Sequence, residues 1–322
     1  MKKLMIYGAT GYTGRMAAVH AKTLGLDVVI AGRNATRLAA LATELNAAYR
    51  VFTADAQAAS HLADIDVLLN FAGPFAQTAE PLMRACIASG TDYLDITAEI
   101  NVYRLAEQLG AEASVMLLPG VGWDVVPTDC LVMHVARRVQ QPRSVKIALQ
   151  VPGAMSRGSA MSVGEIIGAG VMARIDGELV ATPDAQPQHL DFGDGAVLCA
   201  PLSFGDLVTA WHSSGIPDIA MFVHISGEAF PEGDLSSLPD GPSQAQRDAH
   251  PARAVAEVTG ADGTLARSVI ETVNGYSFTP IAAVEAARRV LGGERRPGFE
   301  TPAKLFGVGF AQTIGGTRII DF

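Results

Sequence analysis

Three glycines stand at intervals of three in the stretch YGATGYTG, at Gly8, Gly11 and Gly14. The apolar run Leu4-Met5-Ile6 precedes them, and the helix-like RMAAVHAKTLG follows. Where a buried strand hands over to a helix, such a series suits phosphate binding. The first glycine permits a tight turn, the second lets backbone amides approach a pyrophosphate, and the third lets the helix pack against the strand. The helix N-terminus then stabilises the phosphate charge. The spacing is GxxGxxG, so Thr10 stands where the commoner fingerprint has glycine, and its hydroxyl can donate to a phosphate oxygen. Tyr12 and Thr13 complete the loop. Glycine-rich turns also arise for purely conformational reasons; the place in the chain, between first strand and first helix, favours a nucleotide.

A second signal lies about 20 residues on. A fold specific for NAD usually ends its second strand with Asp or Glu, whose carboxylate accepts from the adenosine ribose hydroxyls. Here no acid occurs between Val28 and Thr43, and VIAGRNATRL puts Arg33 at the strand end with Arg37 one helical turn later. A guanidinium at that place suits the 2′-phosphate of NADP, which its planar fork can bind bidentately. Arg37 reads equally well as a solvated residue at a helix start.

The elements that must hold these residues alternate. LMIY, DVVIAG, YRVFTAD, DVLLNFAG, DYLDIT and SVMLLPG are predicted strands. Between them GRMAAVHAKTLG, ATRLAALATEL, AASHLAD, AEPLMRACIASG and NVYRLAEQLGAEA read as helices. Repeated βα units imply a parallel, doubly wound sheet, so the fold class is α/β with residues 1–127 as a Rossmann-type domain. Residues 128–322 read as a second, α+β domain on a mainly antiparallel sheet, built from the helix PTDCLVMHVARRV, the strand SVKIALQV and the β-rich runs AVLCAPLSF, DLVTAWH and IAMFVHIS. The segment from about 278 to 322, with the helix TPIAAVEAARRVLGG, is a candidate to return to the first domain. Residues 230–250 read as a long surface loop, with a lid as the alternative.

Composition narrows the function classes. The chain has 322 residues, 49% of them hydrophobic and 18% charged, enough for two sizeable cores. A formal charge of −9 disfavours nucleic acid and anionic membrane surfaces, which are recognised through clustered Lys and Arg. No run approaches the ~18 apolar residues that span a bilayer, and the chain reads as cytoplasmic. Three widely spaced cysteines, Cys86, Cys130 and Cys199, suggest neither a disulfide framework nor a metal site. The partner expected is a small-molecule substrate; homodimerisation stays open. The acidic excess is local: residues 184–262 hold twelve Asp or Glu against Arg247 and Arg253.

YGATGYTG, AGRN, TAD, NFAGPF, YLDITAE and PGVGWDVVPTDCL occur in the order found in the saccharopine dehydrogenase-like oxidoreductases, a group that includes the trans-acting enoyl reductases. YSFTPIAAVEAARRVL and PGFETPAKLFG resemble the same group towards the C-terminus. The resemblance implies an NADP-binding domain and a second domain over the nicotinamide. It would give Gly8–Gly14 to the pyrophosphate, Arg33 with Asn34 to the 2′-phosphate and Asp55 to the adenine. Ala72, Gly73 and Pro74 would line the nicotinamide ribose. Asn34 has an equal second reading as the N-cap of the following helix.

Hydride transfer needs a donor to protonate or stabilise the atom that gains charge. DYLDITAE offers Asp95, Thr97 and Glu99, and GVGWDVVPTD offers Trp123, Asp124 and Asp129. Glu99 and Asp124 are the catalytic candidates, with Trp123 as a pocket wall. Glu99 also reads as a dipole partner in a first helical turn, and Asp124 as a loop anchor. Ser159 and Ser162 read as ordinary N-caps. A Tyr-x-x-x-Lys pair is absent, since none of the six tyrosines has Lys four residues on. The expected chemistry is NADPH-dependent reduction of a C=C, C=N or C=O bond, with an NADPH-binding sensor or scaffold as the alternative.

Overall fold

The computed structural model describes residues 2–226 and 240–322. They divide into two compact units, the first comprising Met1–Thr97, Asn101–Gly122 and Thr279–Glu300, the second Ala98–Ile100, Trp123–Phe278 and Thr301–Phe322. Of the C-terminal segment, Thr279–Glu300 is grouped with the first unit and Thr301–Phe322 with the second.

In the first unit, β1 (Lys3–Tyr7), β2 (Asp27–Gly32), β3 (Ala48–Val51), β4 (Val67–Asn70), β5 (Asp92–Asp95) and β6 (Met116–Leu118) alternate with α1 (Tyr12–Thr23), α2 (Ala35–Leu45), α3 (Phe75–Ser89) and α4 (Ile100–Gly110). AASHLAD, expected as a helix, forms only a single 3-10 turn at Ala58–His61. Such 3-10 turns are a frequent form of short connectors. All strand pairs are parallel. The order is the short strand Gly298–Phe299, then β6, β5, β4, β1, β2 and β3. Leu4, Met5, Ile6, Leu68 and Leu69 are completely buried, as central strands covered on both faces must be. The order reverses beside β1, whose neighbours are β2 and β4, and in open α/β sheets ligands bind beyond the carboxyl ends of the strands at such a reversal. On the opposite flank Arg295 reaches the buried Asp92 with a bidentate pair at 2.5 and 2.8 Å.

The second unit is built on a mixed sheet in the order Gln188–Asp191, Ala196–Pro201, Asp218–Ser226, Pro142–Pro152, Ala252–Gly260, Leu265–Thr272 and Arg318–Asp321. The two central strands, Pro142–Pro152 and Asp218–Ser226, run parallel; the other pairs are antiparallel. One run departs from the sequence reading: DLVTAWH belongs to a helix, Asp206–Ser214, ended by Gly215 at φ 71°. Leu207, Val208 and Ala210 are all fully buried, and a helix covered on successive sides shows no 3.6-residue pattern. The helix Arg157–Gly168 is capped by Ser156, whose side chain accepts from Ser159 N, so the cap lies ahead of both serines expected there. Of the stretch 230–250, residues 230–239 lie outside the described residues; Gln244–Asp248 is a short helix closed by a Ser243–Gln246 capping box.

Candidate functional site

The loop after β1 is shaped by contacts that leave no room for side chains. Gly8 has φ 80°, and a Cβ there would stand 2.8 Å from the backbone N of Ala72, in the loop after β4. A Cβ on Gly14 would lie 2.3 Å from the Gly8 carbonyl oxygen, so α1 meets the strand end at backbone distance. Gly8 N and Ala9 N both donate to Ala31 O, and Gly11 N donates to Gly8 O at 3.0 Å. Gly11 is itself the N-cap of α1 and supplies no side chain to its first turn. An uncapped helix start beside a glycine turn offers backbone donors and a positive dipole end to an anion.

At the end of β2 the side chain of Arg33 is exposed and makes no hydrogen bond or ion pair among the described residues. Its charge reaches the Tyr7 hydroxyl, which Asp55 influences with the opposite sign, so Arg33 and Asp55 face the same rim of the sheet. Burial is the larger influence there and raises the phenol above its ordinary value. Asn34 caps α2, its Oδ1 accepting from Arg37 N at 2.9 Å. The Asp55 carboxylate accepts from Gln57 N at 2.8 Å in a tight local turn. Arg37 is exposed at the start of α2, and its Nη2 also donates to Thr10 O at 2.8 Å.

The rim beyond β4 rests on a buried polar chain that the sequence reading did not connect. Asn70 Oδ1 accepts from Ala72 N at 2.9 Å, and Asn70 Nδ2 donates to Tyr93 Oη at 3.2 Å. Tyr93 donates to Asp95 Oδ2 at 2.8 Å, while Asp95 Oδ1 accepts from Thr97 N and Gly120 N, both at 3.0 Å. Thr78 donates to Ala72 O at 2.6 Å, closing the loop that carries Gly73 and Pro74. The Gly73–Pro74 peptide is cis. Asp95 and Thr97 are therefore engaged in shaping the strand ends. The available signal was a polar residue closing each of the apolar strands VLLN and DYLD.

The two catalytic candidates sit at different depths. Glu99 directly precedes α4 and is only 3% exposed. Asp124 is half-buried, two residues ahead of the helix Val126–Ala136, and burial pushes its carboxyl up to about 6. Trp123 is fixed in the second unit, with Nε1 donating to Thr272 Oγ1 at 2.9 Å and its ring against Gly275. In the same unit Asp129 is fully buried, its carboxyl also raised to about 6 by burial, and it accepts from Ala303 N at 2.8 Å. Asp206 is fully buried too, with neither carboxyl oxygen hydrogen-bonded among the described residues and with its titration held well above the ordinary range by burial. The nearby Thr128 hydroxyl donates to Val125 O at 3.0 Å.

Among the described residues no group of His, Cys, Asp and Glu has the geometry to hold a metal ion, and no helix is long and apolar enough to cross a membrane. Residues 4–116 match the family model of the saccharopine dehydrogenase NADP binding domain. The matched stretch runs from β1 to the first residue of β6. Trans-acting enoyl reductases are similar over part of the chain. That of Mycobacterium ulcerans is 28% identical over 159 residues, and that of Mycobacterium tuberculosis is 32% identical over 148. These matches take in 45 and 42% of this chain but only 38 and 35% of those proteins. For the whole chain the fold is that of the apo saccharopine dehydrogenase (L-Glu forming) of Saccharomyces cerevisiae, with a TM-score of 0.66, 14% identity and full coverage of both chains.

Proposed function

We propose that this protein is an NADPH-dependent oxidoreductase that reduces a C=C, C=N or C=O bond of a small organic substrate. The observation that carries the reading is the pairing of an uncapped α1 behind a glycine turn with an unengaged arginine at the end of β2. Gly8, Thr10, Gly11, Tyr12, Thr13 and Gly14 would hold the pyrophosphate and Arg33 the 2′-phosphate. Asn34 contributes by capping α2, with its amide group left to face the same phosphate. Asp55 would meet the adenine, and Ala72, Gly73 and Pro74 would line the nicotinamide ribose.

NADPH supplies the hydride when bound. The chain must supply a proton or a hydrogen-bond donor to the atom that becomes electron-rich. A group titrating near neutrality serves best as a general acid, which favours Asp124 with its carboxyl at about 6. Glu99 is the second donor candidate. The local acidity of residues 184–262 supports a neutral or cationic substrate, because a negative field lowers the nearby concentration of anions.

Titration calorimetry with NADPH and NADH tests the cofactor reading: NADPH should bind well ahead of NADH, and equal affinities would refute it. Oxidation of bound NADPH by a panel of enoyl, imine and carbonyl acceptors tests turnover. Bound NADPH that no acceptor oxidises would favour a sensor or scaffold instead.

A further inference from the structure

We infer that Arg37 is a positioning residue for the nucleotide site, holding the Gly8–Gly14 loop in its binding shape from the neighbouring helix while Arg33 reads the 2′-phosphate. The inference rests on the reading of that loop as the pyrophosphate site.

Three contacts carry it. Asn34 Oδ1 accepts from Arg37 N at 2.9 Å, which fixes Arg37 in the first turn of α2. Parallel pairing of β1 with β2, through Tyr7 opposite Ala31, places that turn alongside the loop. Arg37 Nη2 then donates to Thr10 O at 2.8 Å. The same peptide unit is engaged at its other pole, where Gly11 N donates to Gly8 O at 3.0 Å. With both poles held, the plane of the Thr10–Gly11 peptide is set, and so is the entry into α1.

A loop with three glycines has many conformations to lose on ordering. Ordering them when the ligand arrives would lower its affinity; ordering them beforehand avoids that loss. The α1–α2 pair is tied independently by Arg15 Nη2, which lies 2.7 and 2.9 Å from the two Glu44 carboxylate oxygens, so Arg37 governs the loop and not the helix packing. The pyrophosphate is common to NADPH and NADH, whereas the 2′-phosphate belongs to NADPH only. Loss of Arg37 must therefore act on both cofactors by one factor, and loss of Arg33 on NADPH alone.

The test is calorimetric titration of NADPH and NADH into the full-length protein and its Arg37→Ala, Arg37→Lys and Arg33→Ala variants, with the unliganded melting temperature of each. Arg37→Ala should weaken both cofactors by the same factor, roughly fivefold, the value of one ordinary hydrogen bond. Its melting temperature should stay near that of the parent, and Arg37→Lys should recover part of the loss by keeping a donor. Unchanged affinities in Arg37→Ala would overturn the inference. So would a loss confined to NADPH, which would make Arg37 a phosphate ligand, or a loss that tracks a large drop in melting temperature. A parent protein that binds neither cofactor would overturn the proposed function along with it; a parent that binds both beside an unaffected Arg37→Ala protein would overturn this inference only.

Discussion

The Tyr93 hydroxyl donates to Asp95 Oδ2 at 2.8 Å, with both residues completely buried on β5. Through Asn70 on one side and Gly120 N on the other, this bond joins the loop after β4 to the turn after β6. Burial and the neighbouring carboxylate hold the phenol protonated well beyond its ordinary range. Replacing Tyr93 by Phe removes the hydroxyl that Asn70 Nδ2 donates to and that Asp95 Oδ2 accepts from. We expect a loss of about 1–3 kcal/mol in stability, measured by urea unfolding, since two buried hydrogen bonds go, one of them to a carboxylate.

Arg33 sets cofactor choice. Arg33→Ala should weaken NADPH by roughly ten- to hundredfold, about 1.5–3 kcal/mol, and leave NADH little changed. Arg33→Asp should reverse the preference, because a carboxylate repels the 2′-phosphate and accepts from the ribose hydroxyls of NADH. Titration of both cofactors against the three proteins decides it; a loss shared by NADH would contradict the assignment.

Gly14 and Gly11 differ in the space around them. A Cβ on Gly14 would stand 2.3 Å from Gly8 O, whereas one on Gly11 would stand 3.2 Å from the same atom. Gly14→Ala must therefore displace the backbone of α1 from β1, and we expect loss of binding for both cofactors with a lowered melting temperature. Gly11→Ala requires a shift of a few tenths of an ångström and should be the milder change on both measures.

Buried carboxyls give the second unit a distinctive pH response. Asp124 and Asp129 rise from 3.8 to about 6 on folding; burial holds Asp206 well above its ordinary value as well. Between those values the folded state binds more protons than the unfolded one, so the contribution of these groups to stability falls as pH rises from about 4 through 6 and then levels off. For Asp129 this amounts to at most about 3 kcal/mol. Asp206→Asn carries no charge to bury, and its stability relative to the parent should be greater at pH 8 than at pH 4.5 in urea unfolding. A constant difference across that range would show that Asp206 does not titrate there.

Asp124→Asn and Glu99→Gln separate the proton donor from the binding groups. Loss of general acid help typically costs ~10²–10⁴ in rate, with NADPH affinity nearly unchanged. Single-turnover oxidation of bound NADPH in the two variants identifies the donor; parental rates in both would move the search to bound water or to other residues of the second domain.

What the sequence made legible followed from how local each signal is. The glycine series and the arginine at the end of β2 lie within single strand-to-helix junctions, where residue type and conformation correspond directly. Arg37 was legible only as a residue at a helix start, because its partner Thr10 stands 27 positions away and meets it through β1–β2 pairing. The Asn70–Tyr93–Asp95 chain likewise depends on β4 and β5 being neighbours, which no single strand records. Asn34 had two readings; the cap is a short-range bond within its own turn. The helix Asp206–Ser214 was hidden by its own burial, since apolar residues on successive positions imitate a strand.

The bond between Arg295 and Asp92 also governs how this protein can be divided. A gene fragment ending near residue 127 would keep the glycine loop and every strand from β1 to β6. It would lose the flanking strand Gly298–Phe299 and strand the nearly buried Asp92 carboxylate without its counter-ion. The nucleotide-binding half is thus assembled from stretches far apart in the chain, and a ribosome must have added Thr279–Glu300 before that half can close.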